Sequence, residues 1–178
     1  MKKRELYILN EKLDTTLILF KNVVNAKYVL ESYNKNISDS IDINHFFFLL
    51  DSELVFNDNH ILHSIYRGYY NFITKKRITK NIILEILFLL SSHENINECL
   101  KQYQVKDDSS SIIYVGINVT NEEVDSFLNL IKGERINFNE ISFLHDEKKI
   151  LDNFKCTDIG NLEKFIYHNI ASKKLNLS

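Results

Sequence analysis

KKRITKNIILEILFLLSSHENINECLKQYQV, residues 75–105, is the stretch from which the rest of the chain is read. Lys75, Lys76, Arg77 and Lys80 crowd its start, and the run KNIILEILFLL (residues 80–90) follows. Only Lys80, Asn81 and Glu85 are polar in that run. The apolar surface of the expected helix therefore reaches well beyond the ~100° stripe of an ordinary surface helix. About three turns of helix are too short to span a membrane. Two readings stay open: a helix covered on all sides by its own fold, or one with a flank left to dock a partner. Thr79 is the expected N-cap. Cations there oppose the helix dipole, at about 0.3–1 kcal/mol each if they lie in the first turn. Their placement suggests an anionic partner, beside the plainer reading of a solvated charged turn. Residues 91–94 make an exposed turn, and Asn95, with Glu98 three residues on, caps a second, one-sided helix.

Working outward, 178 residues fit one domain, 1–178, large enough to bury a core without staples. The net charge of −2 excludes a generally basic surface, so any nucleic-acid contact must be a local patch. Cys99 and Cys156 are too few for a disulfide framework or a four-cysteine zinc site, which suggests a reducing compartment. The start MKKRELYILNEKLD turns polar before a signal-peptide core develops, and no apolar run reaches the ~18–20 residues of a membrane span. A soluble intracellular protein with no membrane partner is expected. With no proline and much Asn, Ile and Lys, the composition reads as the codon bias of an AT-rich genome.

Before the central stretch, short apolar runs at 6–9 and 17–20 suggest paired strands. A helix is expected from Asn25 to about Tyr33, and residues 38–43 read as a polar linker. HFFFLL (45–50) reads as a buried central strand. Ile61, Ile65, Tyr69 and Phe72, widened by Leu62, Tyr66 and Ile73, stripe a helix over 58–73. After the stretch, SIIYVGI (111–117) is rich in β-branched residues and predicts a strand. Thr120 and Glu123 form a capping box for a helix to about Ile131, with Gly133 as a left-handed C-cap. Residues 134–138 suggest an edge strand, and 140–144 and 146–154 two helical segments. A last helix spans 159–174 with Ile159, Leu162, Phe165, Ile166 and Ile170 inward. The pattern predicts an α+β fold, a small mixed sheet packed with several helices.

Catalytic patterns are sparse. Gly68, Gly116, Gly133 and Gly160 are too scattered for a phosphate-cradling loop. His60 and His63 stand three apart on a helix and could face a metal, but only Asp58 lies near as a third ligand. That pair is the sole support for an alternative reading, a small metal-dependent enzyme. Cys99 falls in an apolar stripe with Ile96, Leu100 and Tyr103 and reads as a buried hydrophobe. Cys156, with only Lys155 beside it, could be partly exposed but gives no case for a reactive thiolate. No cofactor and no catalytic residue is expected.

LEILFLLSSHENINECLKQYQV (84–105) resembles the signature of the TPRKB family, the p53-related protein kinase binding proteins. The agreement lies at Leu84-Glu85-Ile86-Leu87, Leu90-Ser91, Asn95-Ile96, Glu98, Leu100 and Lys101. FKNVVNAKYVL (20–30), the segment 49–55, Ile131-Lys132-Gly133-Glu134 and Ile170-Ala171-Ser172 resemble further blocks of that family in the same order. Ser92 stands where the family usually has proline, and Gln104 where it has the glycine ending the second helix. The resemblance implies a non-catalytic subunit of the KEOPS (EKC) complex, which makes the threonylcarbamoyl modification of adenosine in tRNA. It implies binding to the small atypical kinase subunit (PRPK type), recruitment of tRNA by its 3′ CCA end, and an indirect association with the threonylcarbamoyl-transferring, ATPase-fold subunit. The cytoplasm and nucleus are the implied locations. Carried over by position, Lys75, Lys76, Arg77, Lys80 and Asn95 are the tRNA candidates. Ile83, Leu87, Phe165, Tyr167 and Asn169 are the kinase-facing candidates. A kinase scaffold without tRNA binding is the further alternative.

Overall fold

Strand-length apolar runs and one-sided helical stripes account for most of the elements in the computed structural model, which describes residues 1–36 and 41–173. Part of the expected 38–43 linker and the expected helix end at Lys174 lie outside the described residues. The order is β1 (Lys2–Ile8), β2 (Glu11–Lys21), α1 (Ala26–Asn36), β3 (Phe46–Asp51), α2 (Asp58–Ile73), α3 (Ile82–Leu90), α4 (Ile96–Tyr103) and β4 (Ile112–Ile117). Then come α5 (Asn121–Leu128), β5 (Glu134–Ile136), a 3-10 helix (Phe138–Phe143), α6 (Glu147–Asn153) and α7 (Ile159–Ser172). The class is α+β, as the pattern predicts. Contacts group the chain into two compact units, 1–52 with 104–144 and 53–103 with the residues from 145 on.

The first unit holds the sheet, in the order β1-β2-β4-β3, with β5 also on β2. The expectation of a mixed sheet is corrected: every described pairing is antiparallel. Ile8 faces Glu11 across a two-residue turn, which makes β1 and β2 a hairpin. β1 and β5 share one edge of β2, pairing with Glu11–Leu17 and Leu19–Lys21 respectively, while β4 takes the other edge. β3 pairs only with β4 among the described residues, so HFFFLL forms an edge strand and not the central one expected. A continuous apolar run reports burial of both faces, which an edge strand can also have. Phe47 stacks on Tyr114 at 5.2 Å and lies 4.8 Å from the Phe127 ring, with Tyr33 at 5.5 Å, so one aromatic cluster fastens α1 and α5 to β3 and β4.

The Thr120/Glu123 capping box forms as expected: the Glu123 amide lies 3.2 Å from Thr120 Oγ1, and the Thr120 amide 2.8 Å from Glu123 Oε2. Gly133 is not the left-handed cap expected, because no glycine has positive φ. A Cβ there would stand 2.9 Å from Val23 Cγ2 and 3.0 Å from the Lys21 carbonyl oxygen, so the glycine permits a close chain approach. Asn25 pins the same region, donating to Leu130 O at 2.8 Å and accepting from the Lys132 amide at 2.9 Å.

The second unit is helical. Ile61, Leu62, Ile65 and Tyr69 bury one side of α2, whereas Tyr66 is exposed. On α7, Leu162, Ile166 and Ile170 point inward; Ile159 and Phe165, expected with them, are exposed flank positions. In α3 every side chain except Leu84 is buried, so the chain's own fold covers this helix almost all round. Cys99 is buried as its stripe implies, and Cys156 is buried too, correcting the expectation of partial exposure.

Candidate anion-binding loop and partner surface

Lys75, Lys76, Arg77 and Lys80 are all exposed on the loop between α2 and α3. The loop begins in a Schellman motif. Lys75 is left-handed (φ 57°), its amide donates to Phe72 O at 3.2 Å, and the Lys76 amide donates to Asn71 O at 2.7 Å. The cations therefore follow the C-terminus of α2, where positive charge complements the dipole. This corrects the expectation of wrong-sign charges at the start of α3. The first helical residue of α3 is Ile82, and its N-cap is Asn81, which accepts from the Leu84 amide at 2.9 Å; Thr79 is not the cap.

Thr79 is turned inward to Glu85, the one acid among the apolar side chains of α3 and fully buried. Glu85 Oε2 accepts from the Thr79 amide at 2.8 Å, the Thr79 hydroxyl at 2.8 Å and the Ile78 amide at 3.0 Å. Oε1 accepts from Asn71 Nδ2 at 2.9 Å. Four donors thus converge on the two oxygens of one side chain. Gly68, one turn before Asn71 on α2, allows the approach: a Cβ there would lie 3.0 Å from Ile86 Cγ1 and 3.7 Å from Glu85 Cγ. The Arg77 guanidinium lies 5.1 Å from the Phe72 ring centroid, so part of its reach is spent on the protein itself.

Asn95 is exposed but belongs to the other end of α3, and nine helical residues put about 13 Å between the two ends. Its Oδ1 accepts from the Asn97 and Glu98 amides at 2.8 and 3.3 Å, the capping role expected of it. The structure thus groups the four cations and leaves Asn95 apart from them.

That far end carries a polar cluster the sequence reading missed. The last carbonyls of α3 have no partner within the helix. Leu90 O accepts from His60 Nε2 at 2.9 Å and from the Tyr103 hydroxyl at 3.0 Å. Ser91 O accepts from Asn169 Nδ2 at 3.0 Å, and Lys173 Nζ donates to Phe88 O and Ser91 O. Burial holds Lys173 down at about 8, and also pushes the Tyr103 hydroxyl and Cys99 thiol up.

The kinase-facing candidates divide. Ile83 and Leu87 are buried in the chain's own core, which agrees with the reading of α3 as a covered helix and not with the one that leaves a flank exposed. Phe165 is 47% exposed; Tyr167 and Asn169 are half-buried. Two positions on a helix diverge by about 200°, so Phe165 and Tyr167 occupy opposite flanks of α7. Tyr167 stacks on His63 of α2 at 4.2 Å and donates to Glu163 at 2.5 Å, while Asn169 holds the end of α3.

His60 and His63 do not form a metal face. The Phe56 amide donates to His60 Nδ1 at 3.3 Å, so Nε2 carries the proton that bonds Leu90 O, and both ring nitrogens are engaged. Burial is the main cause holding this imidazole down at about 4, against the pull of the Leu90 carbonyl. Among the described residues no group of three or more His, Cys, Asp or Glu side chains is placed to share a metal.

A sequence profile of the family described as "Kinase binding protein CGI-121" matches residues 20–174. A protein of Eremothecium gossypii called EKC/KEOPS complex subunit CGI121 is 26% identical over 170 residues, covering 88% of this chain and 90% of that relative. The zebrafish EKC/KEOPS complex subunit TPRKB is 25% identical over 145 residues, covering 80% of this chain and 78% of its own length. An Aspergillus fumigatus EKC/KEOPS complex subunit cgi121 is 23% identical over 152 residues, covering 82% and 78%. With the profile spanning all but the first strand, part of the second and the final residues, the chain belongs to the CGI-121 family of kinase-binding proteins.

Proposed function

We propose that this chain is a non-catalytic subunit of an EKC/KEOPS complex, that it binds the complex's small atypical kinase, and that it helps recruit tRNA through its 3′ CCA end. Family membership carries the complex and kinase parts of this reading: relatives spanning most of the chain bear the name of that complex, and the family's description is kinase binding. The tRNA part rests on the loop, where four exposed cations stand on a braced backbone in a protein of net charge −2. Phosphate contacts of that kind position an RNA strand without reading its sequence. The link to the threonylcarbamoyl-transferring, ATPase-fold subunit is indirect, through the kinase. The cytoplasm and nucleus are the expected locations.

Co-elution with the cognate small atypical kinase on size exclusion tests the partner. Separate elution of two folded proteins would overturn it. For the RNA, Lys76→Glu with Arg77→Glu should weaken tRNA binding and flatten its salt dependence by about 0.7–0.9 per lost contact. An unchanged slope would leave the chain a kinase scaffold without tRNA binding.

A further inference from the structure

We propose that Glu85 is the positioning residue of the basic loop: its buried carboxylate fixes where Lys75, Lys76, Arg77 and Lys80 stand. The inference rests on the reading of that loop as an RNA contact, and deepens it. Glu85 does not cap its own helix, since Asn81 does that. It reaches back six and seven residues to the amides of Thr79 and Ile78. The backbone of Lys75–Arg77 is thereby strung between two anchors, the Schellman bonds at the end of α2 and the carboxylate on α3. Asn71 belongs to both. Its backbone carbonyl accepts from the Lys76 amide at 2.7 Å, and its side chain donates to Glu85 at 2.9 Å. Arg77 Nη1 donates to Lys80 O at 3.5 Å and braces the remainder.

A buried carboxylate is costly to hold in a core, and an apolar residue of similar volume commonly serves stability as well or better. Three of the four donors that satisfy Glu85 come from loop residues Ile78 and Thr79 and none comes from another α3 side chain, so what the carboxylate fixes is the loop. Held this way, the cations meet a phosphate chain without first losing backbone freedom, which is how preorganisation raises affinity.

The substitution chemistry is specific. Asn71 Oδ1 is buried and has no partner. In Glu85→Gln the amide oxygen can occupy the Oε2 position and keep the Ile78 and Thr79 bonds. The new NH2 group then faces Asn71, whose amide can flip to offer Oδ1. Glu85→Gln should therefore keep the loop in place, whereas Glu85→Leu should release it; Thr79→Val, which keeps both amide bonds, should loosen it less.

The test is limited trypsin digestion of the full chain, reading cleavage after Lys75, Lys76, Arg77 and Lys80 relative to all other Lys and Arg sites. Glu85→Leu should raise that ratio about tenfold or more, because local opening there no longer breaks the carboxylate bonds. Glu85→Gln should stay near wild type. A folded Glu85→Leu with an unchanged ratio overturns the proposal. If that variant does not fold, hydrogen exchange of the wild type decides it: Ile78 and Thr79 amides that exchange as fast as exposed loop amides overturn the proposal. Global loosening, which a merely structural role predicts, would raise cleavage at all sites together, leave the ratio flat and likewise overturn the proposal. In tRNA binding at fixed salt, Glu85→Leu should lose about tenfold in affinity while Glu85→Gln does not. A raised loop ratio with unchanged tRNA affinity supports the positioning role and overturns the RNA reading instead.

Discussion

Lys173 Nζ stands 4.1 Å from the centroid of the Phe88 ring and donates to the backbone carbonyl of that same residue. A cation from the end of α7 is thus placed on the negative end of the α3 dipole and over an aromatic face at once. Lys173 is 7% exposed, and desolvation by burial lowers its pKa from the ordinary lysine range to about 8. Cys99, Glu94 and His60 are the titratable neighbours that feel it.

The consequence is a pH dependence of opposite sign to that of an exposed lysine pair. Below pH 8 Lys173 is charged in both folded and unfolded chains, and burying the charge opposes folding by a constant amount. Between pH 8 and 10.5 the unfolded chain keeps a proton that the folded chain has released, so this group's contribution to stability rises with pH. Urea unfolding of wild type and Lys173→Met should give a stability difference that shifts toward wild type by up to about 3 kcal/mol across that window. A difference that does not change with pH would overturn the assignment.

His60 gives the acid counterpart. Its folded pKa of about 4 lies below the unfolded value of about 6.5, so its contribution is complete above pH 6.5 and is lost as pH falls through that window. The loss is about 1.4 kcal/mol per pH unit, or about 2 kcal/mol between pH 6.5 and 5. His60→Gln should unfold with a visibly shallower pH dependence over the same interval. Equal slopes for the two proteins would place the titration elsewhere.

How much of this could be read beforehand depended on the distance between cause and effect along the chain. The stripe of α2, the β-branched run of β4 and the Thr120/Glu123 capping box are local patterns, and each element formed within a few residues of its expected place. Glu85 was legible only as an oddity, an acid in an apolar helix, because its partners turn inward through loop geometry that no periodicity encodes. The cluster at the end of α3 draws His60 from α2, Tyr103 from α4 and both Asn169 and Lys173 from the α7 end, which only the tertiary fold assembles. The dipole argument failed through boundaries: α3 starts two residues later than Lys80, and α2 ends directly before the cations. HFFFLL showed its burial but not its place at the sheet edge.

The candidates carried over for kinase binding now predict different phenotypes. Leu87→Ala and Ile83→Ala empty a packed core and should each cost about 2–5 kcal/mol of stability, with any loss of kinase binding following from that. Phe165 is exposed, so Phe165→Ala should change stability by no more than about 0.5 kcal/mol. If α7 forms the contact, Phe165→Glu weakens the kinase complex at unchanged melting temperature. A complex indifferent to Phe165→Glu would move the interface off this flank of α7.

Lys75 separates stability from binding in one substitution. A non-glycine residue at φ 57° carries strain that glycine does not, and this position is the left-handed one of the Schellman motif closing α2. Lys75→Gly should therefore raise stability by about 0.5–1 kcal/mol, measured as a higher urea midpoint. The same change removes one of the four exposed cations, so tRNA affinity should fall and the salt dependence flatten by about 0.7–0.9. A stabilised protein that binds tRNA less well is the expected pairing, and it excludes unfolding as the cause of weakened binding. Undiminished binding with an unaltered salt slope would show that Lys75 faces solvent and not phosphate. The RNA contact would then have to come from Lys76, Arg77 and Lys80 alone.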